Sequence, residues 1–229
     1  QNPLVFMTPQ WQKSWWETFE DGRELLVLTL RRGKELVAVA PFYREKEKVS
    51  FLGDVDLCDY HDLVVKRGEP PETYQALFDA LAALSWNILE LSCLQTSSAT
   101  YQYFLPLAKE RGYTVEVLPQ DVCPRISLPP SWEEYLAGLG KKDRHELRRK
   151  LRRLSEAGDV KYYALGNREE LNGALTDFLH LLKISRGDKF EFLTPQVETF
   201  FNRMAVALAP EGYLKLCFLE LNGSRVASV

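Results

Sequence analysis

The chain is poor in three things that usually declare a function: paired cysteines, long apolar runs and net positive charge. Its four cysteines, Cys58, Cys93, Cys123 and Cys217, lie far apart with no C-x-x-C pair among them. That spacing offers neither a zinc framework nor a disulfide scaffold. The thiols are expected to act as small buried hydrophobes in a reducing, cytoplasmic setting. No apolar stretch approaches the roughly 18–20 residues of a membrane span. No charged-then-apolar leader opens the chain. It begins QNPLVF without a methionine, so the natural N-terminus is expected to be missing or processed. The formal net charge is −3, which excludes a protein coated in positive charge for nucleic acid.

Against that background one basic run stands out. Residues 141–153 read KKDRHELRRKLRR, eight Lys or Arg against Asp143 and Glu146. The run carries +6, so the remainder of the chain carries −3 − 6 = −9, and the positive charge is local. On a helix, Leu147, Leu151 and Leu154 make a narrow apolar stripe that should dock the helix on the protein. Arg144, Arg148 and Arg152 then lie on one flank, Arg149 and Arg153 on the other. The flanks are either a solvated face or an anion-facing one, serving a donor phosphate or an acidic acceptor. A membrane-surface helix would want Trp or Phe on its apolar face, and this one has only Leu.

The 45% hydrophobic and 27% charged content is that of an ordinary globular protein, and the length suits two small domains. TPQWQKSWWETF (8–19) sets Trp11, Trp15 and Phe19 at i, i+4, i+8 behind an N-cap at Thr8 and Pro9 at N1. ELLVLTLRRGKELVAVAPFY (24–43) reads as a hairpin with Gly33 in the positive-φ position. Short strands are expected at 48–54, 61–66, 87–94 and 114–119, with helices over 72–84 and 97–113, the latter perturbed by Pro106. Prolines at 129 and 130, then a Ser131–Glu134 capping box, mark a fresh start. The predicted domains are therefore 1–128 and 129–229. The second holds the basic helix, a strand at 159–165, a helix from Asn167, a helix at 194–208, and a hairpin turning at Asn222–Gly223. Mixed α/β layers follow in both halves.

The two hairpins, LTLRRGKELVAV and LELNGSRVASV, share an L-x-L strand, a Gly turn and a small-residue return strand, each after an amphipathic helix. Two similar modules are expected. The second stops in its return strand at Val229, so it is expected to be C-terminally incomplete.

A helix, a long hairpin, then strand–helix–strand–helix is the order of the GNAT acyltransferase fold. The chain resembles tandem GNAT proteins of the CelD/BcsL type, relatives of the FemABX peptidyltransferases. The resemblance rests on SWWETF, ELVAVAPFY, DYHDLVV, SWEEYLAGLGKKDRHELRRKLRRLSEAG, DFLHLLKISRG and GYLKLCFLELNGSRVASV. It implies a mixed α+β fold of tandem GNAT-like modules. It also implies an enzyme that moves an acyl group from acetyl-CoA or another acyl-CoA to an amine or hydroxyl of a polysaccharide or cell-envelope precursor. In that chemistry a backbone N–H beside a splayed strand stabilises the oxyanion, and amides at a helix N-terminus hold the pyrophosphate. The corresponding turn of the first module reads Arg67-Gly68-Glu69-Pro70-Pro71-Glu72. Two prolines remove donors and two glutamates repel phosphate, so that module should not bind CoA. The second module's loop would follow a strand beyond residue 229, and no cofactor residue is assigned. Two alternatives remain open. One is a FemABX-like aminoacyl-tRNA-dependent transferase, with tRNA on the basic helix. The other is a non-catalytic glycan or envelope-precursor binding module.

The candidate substrate residues are Asp59, Tyr60, His61 and Asp62, Arg148, Arg149 and Arg152, and Lys183 and Arg186. The loop DVDLCDYHD (54–62) is either an acceptor-recognition loop, with His61 as a base, or an acidic surface turn; Tyr60 resembles a family position. No calcium-loop spacing is present, and no metal is expected. Lys183 and Arg186 resemble a basic family position after their helix, although a helix C-terminus favours cations by its dipole alone. His180, also on that helix, is read as structural or exposed.

Overall fold

The computed structural model describes residues 4–171 and 173–229. The chain divides into two compact units, Gln1–Val122 and Cys123–Val229.

In the first unit, Thr8 caps helix α1 (Pro9–Phe19), its side chain accepting from the Trp11 amide. Trp11 and Trp15 are each only 1% exposed. Strands β1 (Glu24–Arg32) and β2 (Glu35–Glu45) form the expected antiparallel hairpin, and Gly33 turns it at φ +63. Alternation along β2 sends Ala38, Ala40 and Phe42 to one face, where they join Leu77, Phe78, Leu81 and Phe104 in the core. These come from helices α2 (Pro71–Ala82) and α3 (Ala99–Glu110). Tyr43 points to the other face and meets Trp15, ring centroids 5.4 Å apart.

Strand β3 (Lys48–Phe51) pairs with β2 over residues 42–45, and β4 (Val64–Val65) pairs with β2 at Ala38 and Val39. β3 and β4 therefore share one strand line, interrupted by an excursion that leaves after Leu52 and returns near His61. Backbone bonds from Leu52 to Pro41 and from Lys66 to Val37 hold its two ends to β2. Strand β5 (Ile88–Glu90) runs parallel to β3, and a parallel bridge from His61 to Leu94 extends that pairing across the break.

The expected strand at 114–119 does not form. Residues 114–130 carry no regular structure and are almost wholly exposed; prolines at 119, 124, 129 and 130 withhold ladder donors.

The second unit opens with α4 (Trp132–Gly138), whose capping box forms: Ser131 Oγ accepts from the Glu134 amide and donates to its carboxylate. Helix α5 (Lys141–Glu156) is the basic run. It does not dock as its leucines suggested. No residue of α5 is buried, and Leu151 is 44% exposed, the stripe being one side chain wide among charges. Strand β6 (Val160–Leu165) follows. The helix expected from Asn167 is broken at Gly173, where φ is +76. A short 3-10 turn precedes the break and α6 (Ala174–Ser185) follows it. Then come α7 (Gly187–Phe192), α8 (Pro195–Leu208), β7 (Leu216–Leu221) and β8 (Ser224–Ser228). The sheet order is β6-β7-β8, all antiparallel. Leu171, Leu175, Ala205, Leu216 and Phe218 sit in its core.

Candidate functional site

The second unit carries a polar hollow of about 460 Å³ between α6 and the β7–β8 hairpin. Two periodicities build it. On α6, Asp177, His180 and Leu181 lie at i, i+3, i+4 and share one face. On the sheet, Tyr163 pairs with Phe218, Glu220 stands two residues beyond Phe218, and Glu220 pairs with Arg225 across the Asn222–Gly223 turn. The period of two puts these four side chains on one face. Asn222 (φ +52) and Gly223 (φ +79) take the two left-handed positions that a tight hairpin requires.

Arg225 ties the face together. Its Nη1 donates to Asp177 Oδ2 at 2.7 Å and its Nε to the Tyr163 hydroxyl at 2.9 Å. The guanidinium lies over the Phe218 ring, 4.2 Å from the centroid. Tyr163 in turn donates to Glu220 Oε1 at 2.7 Å. The hydrogen bond to Tyr163 and then the pairing with Asp177 hold the Arg225 pKa above its ordinary value. His180 and Ser224 line the hollow beside them. Sequence reasoning missed Tyr163, Asp177, Glu220 and Arg225. Only the Asn-Gly turn, which fixes Glu220 opposite Arg225, was a usable pointer to them.

The loop at 54–62 is two things at once. Asp54, Asp56 and Asp59 are exposed, and Asp56 N donates to Asp54 Oδ1 as in an acidic turn. Tyr60 is half-buried, its ring 6.3 Å from Phe6. His61 turns inward and is 2% exposed. Its Nδ1 faces the Ser92 carbonyl at 3.2 Å, which fixes the proton on Nδ1 because a carbonyl only accepts. Its backbone N–H donates to Cys93 O. Nε2 is buried with no hydrogen-bond partner among the described residues, and it lies over Gly53, where an added Cβ would stand 2.0 Å away. Burial pushes the imidazole pKa down to about 4, so at neutral pH the ring is uncharged. Asp62 accepts from the Leu63 amide and the Thr100 hydroxyl, and burial raises its carboxyl above the usual range.

The remaining candidates are surface cations. Arg148 is exposed. Arg149 makes a two-pronged pair with Glu146 at 2.9 and 2.7 Å, and Arg152 lies 3.7 Å from Glu156. Lys183 pairs with Glu198 at 3.3 Å and sits over the Phe190 ring. Arg186 binds both oxygens of Asp188.

The turn before α2 is occupied by its own side chains. The Glu69 carboxylate accepts from Arg32 at 2.9 Å and from Thr73 Oγ1 at 3.0 Å, with prolines at 70 and 71 in the positions where amides would otherwise point outward.

Among the described residues no helix is long and apolar enough to cross a membrane, and no group of three or more His, Cys, Asp or Glu could hold a metal ion. No curated protein matches the chain. A crystal structure of FemX is similar, with a TM-score of 0.57 and 18% identity over 96% of this chain. The alignment takes in 53% of the FemX chain, so this chain spans about half the length of that relative. Residues 141–229 match the family model described as an acetyltransferase (GNAT) domain. The chain thus has a mixed α+β fold like that of FemX, and its residues 141–229 resemble a GNAT acetyltransferase domain.

Proposed function

We propose that the protein is an acyltransferase that moves an acyl group from acyl-CoA to an amine or hydroxyl of a cell-envelope or polysaccharide precursor in the cytoplasm. The observation that carries this reading is the match of residues 141–229 to a GNAT acetyltransferase domain. Two features of the first unit support a division of labour in which it does not hold the donor. Its β3–β5 pairing is carried past the break by the His61–Leu94 bridge, with the imidazole packed behind it. A sheet closed there leaves no splayed strand to polarise a thioester carbonyl. The helix end beyond is filled by Glu69 and two prolines, so a pyrophosphate would meet a carboxylate where it needs amides.

The fold similarity to FemX favours a second reading, a FemABX-like transferase that takes its group from aminoacyl-tRNA. The exposed cations of α5 would then contact RNA. One experiment separates the two. Release of the CoA thiol from acetyl-CoA is followed with the full-length protein and amine or hydroxyl acceptors, beside titration with aminoacyl-tRNA at two salt concentrations. Acceptor-dependent thiol release supports the acyl-CoA reading. Absence of release, with tRNA binding that weakens steeply as salt rises, moves the assignment to the second. Glycan binding without either donor would leave a binding module.

A further inference from the structure

We propose that the hollow between α6 and the β7–β8 hairpin binds an amino sugar, through the Asp177 and Glu220 carboxylates and the His180 imidazole. Naming a sugar as the amine's carrier rests on the acyl-acceptor reading above; the preference for a cationic, donor-rich ligand rests on the hollow itself.

The argument is a count of donors and acceptors. Three of the wall's hydrogen bonds are made inside it, two by Arg225 N–H groups and one by the Tyr163 hydroxyl. Arg225 Nε is used by Tyr163, Arg225 Nη1 by Asp177 and the Tyr163 hydroxyl by Glu220. Each carboxylate gives one oxygen to that network and keeps one: Asp177 Oδ1 and Glu220 Oε2 have no hydrogen-bond partner among the described residues. Each free oxygen belongs to a side chain already held in place. The network thus presents fixed acceptors at little further cost in side-chain order. Two carboxylates stand against one guanidinium, a formal excess of one negative charge among Asp177, Glu220 and Arg225. Such a wall favours an ammonium through charge-assisted hydrogen bonds and disfavours a phosphate or a carboxylate. His180 adds ring nitrogens that can meet sugar hydroxyls. Leu181, on the same wall, gives the C–H face of a pyranose an apolar surface. At about 460 Å³ the hollow falls in the usual range for small-molecule sites.

D-glucosamine is the probe, with D-glucose and D-glucose 6-phosphate as comparators, each titrated into the protein and followed by saturation-transfer NMR. Glucosamine is expected to bind in the millimolar range, at least tenfold more tightly than glucose, with glucose 6-phosphate weakest. Glu220→Gln keeps an oxygen to accept from Tyr163 but removes the charge, and should weaken glucosamine at least tenfold. Absence of glucosamine binding, preference for the phosphorylated sugar, or an unchanged affinity in Glu220→Gln overturns the proposal. Glucosamine binding without CoA-thiol release sinks the transferase reading and leaves the hollow standing. Thiol release to another acceptor without glucosamine binding does the reverse.

Discussion

His61 illustrates how far a residue's type and its role can part. In the sequence it sits among four aspartates, where a general base would be sought. In the fold it belongs to the sheet, with Nδ1 committed to the Ser92 carbonyl and Nε2 lying over Gly53. Its neutrality in the fold has a consequence for stability. The unfolded chain takes up a proton near pH 6.5, whereas the folded ring does so only at about 4. Between those values the unfolded state binds more protons. The stabilisation present above pH 6.5 is therefore lost as pH falls toward 4. From pH 7.5 to 4.5 the loss attributable to this group is roughly 2–3 kcal/mol. Urea unfolding followed by tryptophan fluorescence, which reports the buried Trp11 and Trp15, should show that extra loss in the parent protein and not in His61→Gln. Equal pH dependence in the two proteins would place the titrating group elsewhere. Gly53 supplies a second check. An alanine there carries a Cβ into the imidazole and holds φ at +143, so Gly53→Ala should cost roughly 2–4 kcal/mol. An alanine variant as stable as the parent would mean that the ring does not lie on that α-carbon. Neither fact was legible in the sequence, because both depend on an excursion leaving and re-entering a strand line.

At the scale of elements, local chemistry was readable wherever it was decided locally. The Thr8 and Ser131 caps, the α1 tryptophan stripe and both hairpin turns all form. Failures came where a partner decides. The stretch at 114–119 has β-rich composition but makes no ladder with the sheet's edge strand, and stays irregular. The leucines of α5 have helical spacing, yet periodicity says nothing about whether a surface exists to receive them. The ring of interactions around Arg225 links residues 48 and 62 positions apart in sequence, a juxtaposition that only the β6-β7-β8 order creates. The hairpin turn shows both levels at once. Asn222 was legible as a turn residue, but its side chain also accepts from the Asp159 amide at 2.9 Å and packs against Gly158. It thereby pins the turn to the start of β6. Two substitutions separate these roles. Asn222→Gly keeps the left-handed backbone and loses the side-chain bond, costing about 1 kcal/mol. Asn222→Ala loses the bond and also strains φ, costing about 1 kcal/mol more. Thermal denaturation should rank parent, glycine and alanine in that order. Equal stability of the glycine variant and the parent would show that the Asp159 contact contributes nothing.

At the scale of the molecule, each unit has its own sheet and its own core, one built around Phe42, Phe78 and Phe104 and the other around Leu175, Ala205 and Phe218. The chain between them has the composition of a linker: four prolines within 119–130, no regular structure, and side chains such as Val122, Ile126 and Leu128 at 80%, 67% and 75% exposure. Exposed backbone without ladder or helix bonds is what a protease needs to thread into its site. In the rest of the chain, basic residues sit mainly in helices and strands, whose backbone must open before cleavage. Arg125, in the middle of this stretch and followed by isoleucine, is the predicted first site for trypsin. Brief digestion at low protease should yield two fragments meeting at Arg125–Ile126, identified by their masses. The excised α5 run, with its many Lys and Arg, is the competing outcome. First cleavage within residues 141–153 would mean that the exposed basic helix opens more readily than the proline-rich stretch is cut, and that α5 is the less stable element.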